Sequence, residues 1–222
     1  MATTMYEPPQ VEPRLPDYSG NGGGRNLITP GGDLRAIQDR PPEPAQTGMW
    51  VALGAITMSF AALTSALVVR QGTAVDWRHL TLPPVLYLNT LALAGSSVTL
   101  EIARRHVAAY ARGIEKQIAV PMRWLVATLA LGLLFVAGQY AGWLQLRAAG
   151  VYLASNPNSS FFYLFTGVHA AHVLGGLLGL VYVMSKLKRS VLRRSTFTAA
   201  AQYWHFMGLL WLYLLLLLWA KL

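Results

Sequence analysis

The chain has 222 residues, of which 54% are apolar and only 12% charged, about half the charged share of an ordinary globular domain. There is no cysteine, which excludes disulfides, thiolate metal sites and iron–sulfur clusters. The formal charge of +9 would suggest nucleic acid in a soluble protein, but the placement of the charges along this chain points elsewhere.

Residues 1–47 form a compositional region of their own. They hold 8 of the 12 prolines, a Gly22–Gly24 run and a Gly31-Gly32 pair. Apolar residues do not recur with any period, so no core can form here and an extended, Pro/Gly-rich cytoplasmic tail is expected. No basic n-region precedes an apolar run, so no cleaved signal peptide is expected.

From Gly48 onward the character changes. Five apolar stretches follow, at Met49–Val69, Leu82–Leu100, Trp124–Leu144, Phe161–Met184 and Tyr203–Ala220. Each approaches the roughly 20 residues that span about 30 Å of hydrocarbon. Backbone groups find no water in lipid, so such stretches are helical. The expected fold is an all-α, polytopic bundle of five transmembrane helices over residues 48–222.

Basic residues orient the bundle. With the N-terminus in the cytoplasm and the C-terminus in the periplasm, the inner segments hold fourteen of the eighteen: Arg14, Arg25, Arg35 and Arg40; then Arg104, Arg105, Arg112, Lys116 and Arg123; then Lys186, Lys188, Arg189, Arg193 and Arg194. This asymmetry follows the positive-inside rule, and anionic lipid headgroups are the natural counter-charge. Nucleic acid is thereby set aside. Trp50, Trp77, Trp124, Trp143, Trp204 and Trp219 all fall near the ends of the five stretches, where indoles sit at headgroup depth; Trp211 alone falls in mid-span.

Ionisable groups inside the bundle would mark catalysis or transport, and few are present. Six of nine acids lie in the tail. Glu101 sits near a membrane end, at ion-pair spacing from Arg104 and Arg105. His169 and His172 share a face of the fourth helix. If the fifth helix opens at Tyr203, His205 lies at the inner end, roughly 15–18 Å in depth from His172 at 1.5 Å per residue. One metal cannot bridge that gap, so no catalytic, cofactor or metal site is expected, and the imidazoles are expected to hydrogen-bond between helices. Gly167, Ala171, Gly175 and Gly179 form a small-residue ladder suited to close helix packing, and Asn89 and Gln139 add hydrogen-bonding capacity.

The run Thr166-Gly167-Val168-His169-Ala170-Ala171-His172-Val173, then Tyr203-Trp204-His205-Phe206 and Trp211, resembles subunit III of the haem–copper terminal oxidases. Leu88-Asn89-Thr90 through Ser96-Ser97-Val98-Thr99 is similar to a further helix of that family, and Gln139 falls where many members carry Gln. The resemblance runs from about Met49 to Leu222 and fits the short five-helix bacterial form. It implies a cofactor-free, non-catalytic subunit of a cytochrome c (or quinol) oxidase in the bacterial cytoplasmic membrane. Such a subunit packs against catalytic subunit I, which carries haem and copper, alongside the other oxidase subunits; it binds phospholipid and sustains oxygen reduction. On this reading the tail is expected to strap across neighbouring subunits. Three intramembrane acids of the family are replaced here, at about Ile56 and at Gly142 and Gly208. Other readings are a similar partner of a nitric-oxide reductase or other respiratory complex, a di-haem quinol-oxidising cytochrome, and a small transporter.

Overall fold

A computed structural model describes residues 44–73, 83–153 and 156–221 of the protein. They form α1 (Pro44–Thr73), α2 (Val85–Ala111), α3 (Ala119–Ala148), α4 (Pro157–Lys188) and α5 (Arg194–Lys221). All five are long and apolar enough to cross a membrane, so the protein is an all-α membrane bundle. Residues 1–43, which make up most of the tail and its expected strap, and residues 74–82, with Asp76, Trp77, Arg78 and His79, lie outside the described residues.

The helices run to 27–32 residues, about 40–48 Å at 1.5 Å per residue, and so exceed the roughly 30 Å of hydrocarbon. The apolar stretches read from the sequence are shorter because the end turns carry Arg, Lys, Gln and Thr. α1 begins at Pro44, inside the segment assigned to the tail. The larger difference is at α5, which starts at Arg194, nine residues before Tyr203. Its opening Ser195-Thr196-Phe197-Thr198 is too polar to score as a span, yet Ser195 and Phe197 are buried against the bundle.

Local chemistry sets the ends. At α4, the Asn156 N–H donates to Ser159 Oγ in a capping box, with Pro157 in the first turn where no amide is needed. α2, α3 and α4 each stop with a residue of positive φ, namely Gly113 (74°), Gly150 (77°) and Ser190 (53°). In each case the next amide reaches back to a carbonyl of the last turn: Ile114 to Ala109 (3.1 Å), Val151 to Leu146 (2.9 Å) and Val191 to Lys186 (3.1 Å). This is the C-terminal closure that favours glycine.

α2, α3, α4 and α5 form an antiparallel ring, each touching the next, and the α2–α3 pairing is the most extensive. α1 stands outside the ring, packed on α4 and α5 through Ile56, Phe60 and Leu67. Two tryptophans of α5 fill the ring. Trp204 lies against Gly132 of α3 and Gly176 of α4, and Trp211 meets Phe135 edge-on at 5.0 Å. The sequence reading placed Trp204 at the headgroups; the early start of α5 instead carries it into the core, where it is 1% exposed.

A Cβ at Gly132 would come within 2.6 Å of the Trp204 ring and 2.8 Å of Leu177 Cδ2. Gly132→Leu is therefore expected to cost about 1–3 kcal/mol of stability through overpacking, read as a lowered thermal midpoint in detergent. Gly54→Leu, where nothing lies within 4 Å, should leave the midpoint unchanged.

Candidate functional site: a polar seam through the ring

Inside lipid a buried indole N–H has no water to turn to and must find an acceptor in the protein. α2 supplies it twice. Trp204 Nε1–H donates to Ser96 Oγ (3.0 Å), and Trp211 Nε1–H donates to Thr90 Oγ1 (3.0 Å). The other side of α2 bonds to α3: Asn89 Nδ2 donates to Gln139 Oε1 at 3.4 Å, and the Thr99 and Thr128 hydroxyls pair at 2.9 Å. Trp143 Nε1–H donates to Thr166 Oγ1 (3.1 Å), joining α3 to α4, and the Tyr203 hydroxyl donates to the His172 carbonyl (2.9 Å), joining α5 to α4. Every contact around the ring thus carries at least one hydrogen bond between side chains or from side chain to backbone.

The intramembrane histidines turn in three directions. His169 is fully buried, stacked on Trp211 at 5.3 Å and meeting Phe135 edge-on at 5.8 Å; neither ring nitrogen has a hydrogen-bond partner among the described residues. His172 bonds through Nδ1 to the Val168 carbonyl one turn back (2.8 Å) and faces Phe60 of α1 at 6.0 Å. His205 lines a groove between α2 and α5. The expected hydrogen bonds between helices are therefore not made by the His169 or His172 rings, because the groups within their reach are aromatic faces and their own helix. The depth argument also changes. With α5 opening at Arg194, His205 lies eleven residues into the helix, and Tyr203 reaches His172. Direction rather than depth separates these imidazoles, and among the described residues no three His, Asp or Glu side chains gather as a metal set would require.

The small-residue ladder has a different place from a crossing inside this chain. Ala171 and Gly175 are exposed, and Gly167 and Gly179 are half-buried. The close approach falls one residue on, at Gly176, where a Cβ would meet Tyr203 at 3.1 Å and Trp204 at 3.2 Å. Gly138 is a second such site, since a Cβ there would collide with the Asn89 carboxamide oxygen. Glu101 takes both nitrogens of a bidentate Arg104 at 2.7 Å and Arg105 at 3.4 Å, on a partly exposed helix face.

The three positions of replaced acids have unlike surroundings. Ile56 is buried on the face of α1 that meets the ring. Gly142 sits where a Cβ would be 3.3 Å from Val85 Cγ1, so a side chain there would press on Val85 at the start of α2. Gly208 borders the α2–α5 groove, 3.5 Å from Ser97 Oγ as measured from an ideal Cβ. The sequence reading passed over Thr128, Gly132, Gly138 and Gly176. The available signal was pairing: hydroxyls on α2 six residues apart opposite tryptophans on α5 seven apart.

The family model described as cytochrome c oxidase subunit III matches residues 53–221. The chain is similar to cytochrome c oxidase subunit 3 of Corynebacterium diphtheriae, 31% identical over 86% of this chain and 93% of the relative. It is also similar to a probable cytochrome c oxidase subunit 3 of Mycobacterium tuberculosis H37Rv (32%, over 77% and 85%) and to cytochrome c oxidase subunit 3 of Thermostichus vulcanus (30%, over 80% and 87%).

If the indole–hydroxyl pairs set the α2–α5 register, Ser96→Ala should cost about 1–2 kcal/mol by leaving a buried donor unpaired. Ser96→Ala combined with Trp204→Phe should cost less than the sum of the two single changes. Thermal midpoints of the four proteins in a double-mutant cycle give this coupling directly; strict additivity would remove the hydrogen bond from the account.

Proposed function

This chain belongs to the cytochrome c oxidase subunit III family, and from that membership we propose how it serves its complex. It is a subunit of a haem–copper oxidase in the respiratory chain and a multi-pass membrane protein. Our reading is that it packs against the catalytic subunit holding haem and copper, contributes no redox group of its own, and supports assembly and sustained oxygen reduction. The observation that carries this reading is an interior spent on hydrogen-bonded packing, with its three intramembrane imidazoles diverging. The bacterial relatives favour the cytoplasmic membrane, and the basic bias of the segments joining the helices favours an orientation with the starts of α1, α3 and α5 at the cytoplasmic face.

Purification of the tagged, full-length chain from native membranes in mild detergent tests the reading. Haem absorbance and oxygen consumption should accompany it, and His169→Gln and His172→Gln should leave haem and copper content unchanged. Haem held by the isolated chain, or metal lost from the complex in either variant, would count against it.

Lipid binding has a place in the same proposal. A groove of about 450 Å³ runs between the first turns of α1, the middle of α4 and the start of α5, lined by Met49, Gly175, Gly179, Tyr182, Thr196 and Tyr203. Lys186 Nζ stands 5.4 Å over the Tyr182 ring near that end, giving a narrow apolar slot with a cation close to headgroup depth. Gly179→Leu together with Lys186→Ala should reduce retained anionic phospholipid, counted by native mass spectrometry of the complex, while haem content stays constant. An unchanged lipid count would reject the slot as the lipid site.

A further inference from the structure

A second groove, of about 350 Å³, opens between α2 and α5, apart from the slot that α1, α4 and α5 form. Thr90, Ala94 and Ser97 line it from α2, and His205, Leu209 and Leu212 from α5. On α2 these residues recur at three- and four-residue spacing, and the same face continues past Ser97 to Glu101 and Arg104. Counted from Val85, the roughly 20 residues that cross the hydrocarbon end at about Arg104. The charged cluster therefore marks the membrane boundary, where ionised groups are tolerated. Gly208 faces Ser97, 3.5 Å from an ideal Cβ to Oγ. Because α5 runs antiparallel to α2, His205 stands nearly one turn closer to the boundary than Gly208.

Three layers follow one another down this face. At the boundary, Glu101 accepts from Arg104 Nε and Nη2 at 2.7 Å, while Arg105, 78% exposed, touches it only at 3.4 Å. The three charges leave a net +1, carried outward by Arg105. Beneath them come the His205 ring and the Ser97 hydroxyl, which have no hydrogen-bond partner among the described residues. Thr57 and Ser59 on the outer face of α1 differ, since each hydroxyl donates to the carbonyl four residues back. Deeper still the wall is apolar, with Ala94, Leu209 and Leu212 exposed.

A phospholipid has the same order from its headgroup inward: an anionic phosphate, ester oxygens that only accept hydrogen bonds, then hydrocarbon. Guanidinium binds phosphate by charge-assisted hydrogen bonds, and a hydroxyl and an imidazole N–H are the donors that ester oxygens lack. Water could satisfy the donors but would not fill the apolar wall below them. A transmembrane helix has its backbone acceptors already bonded internally, so it has no counterpart to a layer of donors under a cationic rim.

We infer that the α2–α5 groove holds one phospholipid with an anionic headgroup. Its phosphate lies at Arg105 beside the Glu101–Arg104 pair, its ester oxygens take hydrogen bonds from His205 and Ser97, and an acyl chain runs past Gly208 along Ala94 and Leu209. This site goes beyond the subunit role and does not rest on it, and it is separate from the slot beside Lys186.

A photo-crosslinking residue at Leu209 tests the assignment in the full-length chain, purified with the complex it carries and placed in nanodiscs of phosphatidylglycerol and phosphatidylcholine in equal parts. Position 209 should capture phosphatidylglycerol in about fivefold excess, the effect of one cationic charge near the headgroups, and a crosslinker at Met58 on the outer face of α1 should capture the two lipids alike. Arg105→Gln, which leaves the Glu101–Arg104 pair in place, should abolish the excess at 209. Gly208→Leu, which fills the groove without touching a charge, should lower total lipid capture there, with the thermal midpoint reported alongside. Gly179→Leu with Lys186→Ala should leave capture at 209 unchanged, so the two lipid sites are read separately. Equal capture of both lipids by the unaltered chain, or an excess that survives Arg105→Gln, would overturn the headgroup contact. A polypeptide captured at 209, or lipid capture undiminished by Gly208→Leu in a folded protein, would overturn the groove as a lipid seat. Excess inorganic phosphate should leave the capture unchanged; displacement by it would reduce the site to a phosphate contact and overturn the seat for the acyl chain.

Discussion

The ring of four helices depends on the need of two indole N–H groups for acceptors in a medium that offers none. Trp204 and Trp211 lie seven residues apart on one face of α5, and α2 answers with Ser96 and Thr90, six apart and running the other way. Sliding α2 along α5 by a turn would break both bonds at once. Neighbouring helices are fixed in consequence. Gly132 and Gly176 are glycines because the Trp204 ring occupies the space a side chain would take, and Phe135 and His169 enclose Trp211. In a bilayer, where apolar burial distinguishes poorly between one helix pairing and another, packing of this kind and a few hydrogen bonds carry the specificity.

Much of this fold was legible in the sequence, and what escaped did so for two reasons. Hydropathy depends on composition, so it found five spans and their order. It was blind to helical turns made of residues neither strongly apolar nor charged, such as the opening of α5. That omission displaced Trp204 from the core, and His205 from well inside α5, to the membrane surface, and the depth argument about the histidines inherited the error. The ladder from Gly167 to Gly179 was legible as a face, but periodicity cannot say which neighbour a face meets. The crossing glycines Gly132 and Gly176 have no period of their own; they are defined by the aromatic ring opposite, which is a tertiary fact.

The family motifs, by contrast, were readable because they coincide with the seam. Asn89, Thr90, Ser96 and Thr99 on α2, Gln139 on α3, Thr166 on α4 and Trp204 and Trp211 on α5 all contribute side chains to contacts between helices. The motif residues are a register key for the ring. The positions where the chain departs from its family follow a similar logic: Ile56 and Gly142 lie where packing is tight, so apolar or absent side chains suit them, and only Gly208 opens onto space.

This divides the polar residues of the bundle into two kinds. Those of the seam are bonded within the chain, and they hold the ring whether or not anything else is present. Those on outer faces include hydroxyls closed on their own helix, as at Thr57 and Ser59, and a pair that joins α1 to α5, Thr64 with Tyr213. His169 is the exception that sharpens the distinction. It is as deeply buried as any seam residue yet bonded to none, enclosed by Trp211 and Phe135 as an aromatic disc would be. Its place in the motif therefore reflects ring shape and stacking. An interior built in this way is hydrogen-bonded from helix to helix. It offers its complex a rigid, correctly registered body whose outer faces determine what it binds.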